Sequence, residues 1–165
     1  MPRLFLLLTV LGLRWLPSLA QATLPTPPVT RPDIRAVMGA AAQSRTGYLL
    51  QVIFHSDEVK QPQELTDVMT PTGSVQFGSA PPAVGKAAVT KALLDFYSTI
   101  RGMKHRLKHL YYNQRHTIVY EADVTYTRLG GGTLTLPYVC VLTTRNGLLA
   151  SHHIFVDLRP LLAAK

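Results

Sequence analysis

Four strand-like runs between residues 104 and 156, joined by turns, leave this chain few folds to choose from. Thr117 to Arg128 sets Ile118, Tyr120, Ala122, Val124 and Tyr126 on one side and Thr117, Val119, Glu121, Asp123 and Thr125 on the other. That two-residue period belongs to a strand whose faces meet different surroundings. Gly130-Gly131-Gly132 follows as a hairpin turn, because glycine accepts positive φ without strain. Thr133 to Thr144 is the next strand, Arg145-Asn146-Gly147 a turn with the strong Asn-Gly hairpin signal, and Leu148 to Val156 the last strand. Upstream, Lys104 to Tyr112 alternates Lys104, Arg106 and Lys108 against His105, Leu107, His109 and Tyr111. The four runs predict an antiparallel meander.

The first half reads differently. Thr30 to Asp33 can cap a helix with Pro32 in its first turn, after which Ile34, Val37, Met38 and Ala41 share a face. Gly47 interrupts, and the apolar stretch Tyr48 to Phe54 is too short to assign. Pro62 can open a short helix with Leu65, Val68 and Met69 inward, and Ser74 to Phe77 is a brief strand candidate. The clearest helix runs from about Lys86 to Ile100, where Val89, Leu93, Phe96, Tyr97 and Ile100 recur at helical spacing before Gly102 stops it. Helices first and strands afterwards predict an α+β domain.

Residues 1–22 stand apart from the domain at 33–165. Arg3 precedes an apolar run from Leu4 to Leu13, and Ala20-Gln21-Ala22 has the small-x-small form of a cleavage site. We read a secretory signal, and hence a secreted location, with a cytoplasmic protein as the alternative. The run is too short for a stable membrane span. Residues 23–32 (TLPTPPVTRP) form a Pro- and Thr-rich linker.

The whole chain has 165 residues, 47% of them apolar, enough for one real core. Its one cysteine, Cys140, excludes an intrachain disulfide, and no Cys/His cluster has zinc spacing. A formal charge of +8 favours anionic partners. Much of it lies in Arg101, Lys104, Arg106, Lys108 and Arg115, a run without acids. Such a run serves phosphate, an acidic carrier protein or nucleic acid, or else a solvated strand face. No nucleic-acid-binding motif accompanies it, so nucleic acid is not the expected partner.

Several motifs together resemble the SnoaL-like, nuclear transport factor 2-like superfamily. They are Val84-Gly85-Lys86-Ala87-Ala88-Val89 before a helix, Glu121 through Arg128 followed by glycines and Thr135-Leu136-Pro137, and Asn146 through Asp157. The likeness covers about Glu64 to Leu162, while residues 33–63 depart from the family's single long first helix. The resemblance implies N-terminal helices packed on a curved antiparallel sheet, an α+β cone around a cavity. It also implies polyketide cyclase, limonene-type epoxide hydrolase, ketosteroid isomerase or non-catalytic relatives, so the fold alone does not choose the chemistry.

Asp157 ends an apolar strand on the face of His153 and Phe155, and the family's matching aspartate lies at the pocket. A carboxylate against apolar walls has a raised pKa and suits acid/base work; the rival reading is a capping aspartate. Asp123 sits mid-strand, where a carboxylate wants a reason; it is either a second acid/base group or part of a solvated outer face with Glu121 and Thr125. The epoxide hydrolases carry an arginine two residues before this aspartate, where this chain has Glu121. His105 and His153 can assist by proton transfer or be structural histidines, and His152 alternates to the opposite, exposed face. Phe77, Phe96, Tyr97, Tyr126, Tyr138 and Phe155 either line a ligand pocket or fill the core.

These readings lead to a cofactor-independent, metal-free acid/base enzyme. Its substrate would be a small apolar oxygenated metabolite, polyketide- or terpenoid-like, undergoing cyclisation, isomerisation, dehydration or epoxide opening. The alternative is a non-catalytic small-molecule-binding or dimerisation module of the same fold, and by analogy with relatives a homodimer through the sheet.

Overall fold

The computed structural model describes Gly39 and residues 43–112 and 116–163. The leader at 1–22, the linker at 23–32, the helix expected after Thr30 and Arg115 of the basic run lie outside the described residues.

Helix α1 (Arg45–Val59) begins at Ser44, whose hydroxyl accepts the Gly47 N–H, and ends at Lys60 in the left-handed conformation (φ 57°). It occupies the stretch that the sequence left unassigned, and Gly47 lies in its first turn rather than breaking it. The reason is burial on nearly every side. Leu49, Leu50, Val52, Ile53 and Phe54 are all 4% exposed or less, so no amphipathic stripe marks the helix. Helix α2 (Pro62–Asp67) opens on a proline at its first position, and is held to α1 by His55 Nδ1 at 2.6 Å from Glu64 Oε2.

Strand β1 (Met69–Phe77) and the short β2 (Ala83–Val84) lead into helix α3 (Lys86–Ser98). Val89, Leu93 and Tyr97 form its buried face. The helix ends before Gly102, which lies within strand β3 (Ile100–Tyr112). The Lys60 ammonium donates to the carbonyls of Tyr97 and Ile100 at 3.3 and 3.2 Å, fastening the end of α1 to the end of α3.

Strands β4 (Thr117–Arg128), β5 (Thr133–Arg145) and β6 (Leu148–Val156) complete the expected meander, and helix α4 (Arg159–Leu162) closes the described chain. The β5–β6 turn has Asn146 at φ 51° and Gly147 at φ 76°, the paired positive values a two-residue hairpin requires. The sheet order is β2-β1-β6-β5-β4-β3. Every pairing is antiparallel except β1 with β6, which is parallel, so the sheet is mixed rather than purely antiparallel. A parallel neighbour needs a long crossover, and the chain between β1 and β6 supplies it.

The register of β3 on β4 shifts between Leu107 and His109, and that of β5 on β6 between Thr143 and Thr144. Such bulges bend a sheet and reset alternation. His105 and Leu107 are therefore buried, whereas His109 and Tyr111 beyond the bulge are exposed, although the sequence placed all four on one face.

Candidate functional site

Helices α1 and α3 lie over the concave face of the sheet and leave a hollow of about 460 Å³, counting the part that opens to solvent. Most of its wall is apolar or aromatic. Its ionisable lining consists of Asp57, His105, His152 and three tyrosines besides Tyr120. Asp57 comes from the last turn of α1, His105 from β3 and His152 from β6.

Asp57 and His105 form the centre of the site. The Tyr97 hydroxyl donates to Asp57 Oδ1 at 2.6 Å, and His105 Nε2 stands 3.7 Å from Asp57 Oδ2. Both side chains are largely hidden, 14% and 6% exposed. Burial pushes the Asp57 carboxyl above the ordinary carboxylate range, against the opposing pull of His105 and the Tyr97 hydrogen bond. Burial, and then the neighbouring Asp57, hold the Tyr97 phenol far above its usual value, so it remains a donor. The His105 ring is stacked on Phe54, centroids 4.9 Å apart, and its backbone N–H donates to Glu58 Oε1 at 2.8 Å. Two adjacent carboxylates of α1 thus serve one histidine: Glu58 holds its backbone and stands 3.6 Å from its Nδ1, while Asp57 faces Nε2. A gap of 3.7 Å is too long for a hydrogen bond but within reach of one after a small movement.

Deeper in the pocket, His152 Nε2 lies 3.2 Å from Cys140 Sγ and 3.4 Å from the Tyr120 hydroxyl. Burial lowers the His152 pKa to about 3, with smaller contributions from His105 and His153, so the ring is neutral at pH 7. Burial also holds the Cys140 thiol far above its usual value, which makes it a packing residue rather than a nucleophile.

The sequence expectations divide at the sheet. Of the six aromatic residues expected at a ligand, Phe77, Phe96, Tyr97, Tyr126 and Tyr138 line the hollow. Phe155 is 46% exposed on the opposite face, its ring 3.9 Å from that of His153. His105 reaches the site. His153 does not: its Nε2 meets the Gly78 carbonyl at 2.8 Å. His152, expected to be exposed, is the buried one of the pair. The alternation itself is correct, because His153, Phe155 and Asp157 share a face, but that face is the outer one. The register sets His152 beside Leu142 and Ile154 beside Cys140, turning the other set inward.

Asp157 accepts from the Arg159 backbone and guanidinium at 2.8–3.0 Å and is exposed. Those contacts hold its pKa down at about 2, the capping role rather than an acid/base one. Asp123 lies outside the cavity between Arg106 and Lys108, and Lys108 also reaches Glu121 at 3.0 Å. The basic run of β3 is thereby partly neutralised by β4, as in a solvated strand face.

Asp57 and Glu58 are what the sequence reading missed. Their signal is two adjacent acids two residues beyond an apolar stretch, in a chain with only nine Asp and Glu. Once that stretch is read as helix, Phe54 and Asp57 fall three residues apart on one face. Among the described residues no group of three His, Cys, Asp or Glu side chains could hold a metal ion, and no helix is long and apolar enough to cross a membrane.

A cone of helices on a curved mixed sheet, with ionisable groups turned into an apolar hollow, defines the class, and comparison with known proteins gives the family. The SnoaL-like domain model matches residues 58–152, and the chain belongs to that family. Comparison with curated proteins gives no match. Among solved structures it is similar to a protein from Jannaschia sp. CCS1 provisionally described as a SnoaL-like polyketide cyclase, at 17% identity and TM-score 0.64, over 73% of this chain and 91% of that one. TerC, co-crystallised with polyporic acid, is similar at 16% identity and TM-score 0.64, over 73% and 97%. A Bacillus subtilis protein provisionally described as an isomerase is similar at 16% identity and TM-score 0.63, over 73% and 94%. At these identities the likeness shows the fold.

Proposed function

We propose that the protein is a cofactor-independent acid/base enzyme acting on a small, mostly apolar, oxygenated molecule of polyketide or terpenoid type. Asp57 takes the proton from the substrate, Tyr97 stabilises the carboxylate, and His105 exchanges the proton with Asp57 or returns it to the product. The observation that carries this reading is Asp57 itself, a buried carboxyl of raised pKa, 3.7 Å from a histidine in the wall of an apolar hollow. A base whose pKa is lifted toward the working pH is the more effective one.

Of the four reactions considered, cyclisation, isomerisation and dehydration share removal of a proton beside a carbonyl. Epoxide opening with an Asp-Arg-Asp set fits less well: among the described residues no arginine lines the hollow, and Asp123 lies outside it. The likeness to proteins described as a cyclase and an isomerase supports the same choice. The test is α-deuterium exchange in D2O for a panel of small cyclic and aromatic ketones, followed by NMR. Wild-type protein is expected to accelerate exchange and Asp57→Asn to lose it. Absence of exchange in the wild type across the panel would leave the ligand-binding module as the better reading.

We also propose a homodimer through the outer face of the sheet. Val139 and Phe155 stand opposite each other in register there, 39% and 46% exposed. Phe155→Lys is expected to shift sedimentation toward the monomer; a wild-type monomer at high concentration would remove the proposal.

A further inference from the structure

A second carboxylate stands behind the ring of His105, away from the cavity. Glu58 follows Asp57 on α1 but does not line the hollow. Its Oε1 accepts the His105 backbone N–H at 2.8 Å and stands 3.6 Å from His105 Nδ1, with the side chain 11% exposed. On the other edge of the ring, Nε2 faces Asp57 Oδ2 at 3.7 Å. The imidazole is thus suspended between two carboxyl groups at nearly equal range, and its buried Nδ1 makes no hydrogen bond. Phe54, stacked on the ring at 15°, and Tyr138, edge-on at 5.8 Å, restrain it from turning.

The two carboxyl groups are not equivalent. Glu58 Oε1 already accepts one N–H, and as a carboxylate oxygen it can only accept another. Asp57 can present either character. Its Oδ1 is occupied by the Tyr97 phenol, and burial raises its pKa, so Oδ2 carries a proton in one state of the site and none in the other. When it does, a neutral His105 fits with its Nε2 lone pair toward Oδ2–H. When it does not, a doubly protonated ring fits with Nε2–H toward the carboxylate. Nδ1 keeps its proton in both states. A neutral ring protonated at Nε2 would instead aim the bare Nδ1 lone pair at Glu58, acceptor against acceptor in a buried place.

We propose that Glu58 is the positioning residue of this acid/base pair: by holding a proton on His105 Nδ1, it leaves Nε2 as the atom that trades a proton with Asp57. This deepens the reading of Asp57 and His105 above, on which it rests for the reaction. The proton drawn from the substrate carbon sits on Asp57 Oδ2, passes to His105 Nε2 and returns to the product. Glu58 gains and loses none, and touches no substrate. Its charge favours the imidazolium formed on the way, as a third group that orients a base does.

Glu58→Gln separates this role from a structural one, because the amide oxygen can still accept the His105 backbone N–H while the charge is gone. Imidazole ¹⁵N shifts at pH 7 are expected to show the wild-type Nδ1 protonated, and a larger share of rings protonated only at Nε2 in the variant. In α-deuterium exchange the variant is expected to lose about tenfold in kcat with KM within about twofold. That is well short of the ~10⁴ carried by the orienting aspartate of a serine protease, since 3.6 Å exceeds a full hydrogen bond. Glu58→Asp is expected to recover part of the loss. An unprotonated Nδ1 in the wild type overturns the proposal, and so does a glutamine variant whose tautomer or kcat matches the wild type. A wild type that exchanges no ketone defeats the acid/base reading alone; the tautomer change in the variant then still assigns Glu58 its hold on His105.

Discussion

His152 and His153 are neighbours in sequence, yet they stand on opposite faces of one sheet in opposite circumstances. His153 rests against Phe155 and the Gly78 carbonyl on the outer face, among residues that find partners readily. His152 is sealed inside, kept uncharged by burial, with one nitrogen unmatched. The aspartates divide the same way. Asp123 and Asp157 are paired with arginine on the outside, while Asp57 faces a tyrosine and a histidine within. An ionisable residue matched by opposite charge is held in place by the match. One denied it is reactive because its charged form is costly. Candidate chemistry in such a sheet is found by asking which groups lack a counter-charge.

That contrast breaks most visibly in turnover. Asp57→Asn is expected to slow α-deuterium exchange by about 10²–10⁴-fold, whereas Asp123→Asn and Asp157→Asn stay within about twofold. Comparable losses in all three would erase the distinction between the faces.

Acid stability sharpens it next. Below the unfolded pKa of 6.5 an unfolded His152 gains a proton that the folded one refuses until about pH 3. Stability is thus expected to fall by ~1.4 kcal/mol for each pH unit from 6.5 downward. Asp57 acts with the opposite sign: its folded pKa is raised, so its contribution is lost as pH climbs from 3.8 through the folded value. Urea midpoints of wild type and His152→Gln against pH isolate the histidine contribution, and parallel curves would contradict it. The smallest effect is in stability at pH 7. Asp57→Asn should be more stable than wild type, by ~1.4 kcal/mol for each unit the carboxyl is raised. A lower melting temperature would mean that the Tyr97 hydrogen bond outweighs the cost of burial.

The sequence was most legible where one face of an element is wet. Strands β4 and β6 appear at their expected bounds, and β5 within a residue, because alternation and Asn146-Gly147 fix period and turn. The same alternation does not say which face is inside. In β6 both parities carry apolar residues, Leu148, Ile154 and Val156 on one and Leu149 and Phe155 on the other. Only pairing against β5, itself curled by bulges, decides in favour of His152. Helix α1 was illegible for the opposite reason. Surrounded by core, it has no polar stripe to declare a helical period, and the acid that matters most lies at the end of it. Five of the six aromatic residues could be anticipated because they belong to elements whose period was readable.

Lys60 gives the Asp57 carboxyl a mechanical setting. By gripping the carbonyls of Tyr97 and Ile100, it joins the terminus that carries Asp57 to the terminus that carries the phenol donating to it. The same ammonium therefore also fixes the donor on which the basicity of Asp57 depends, since a carboxylate that loses a hydrogen-bond donor is a stronger base.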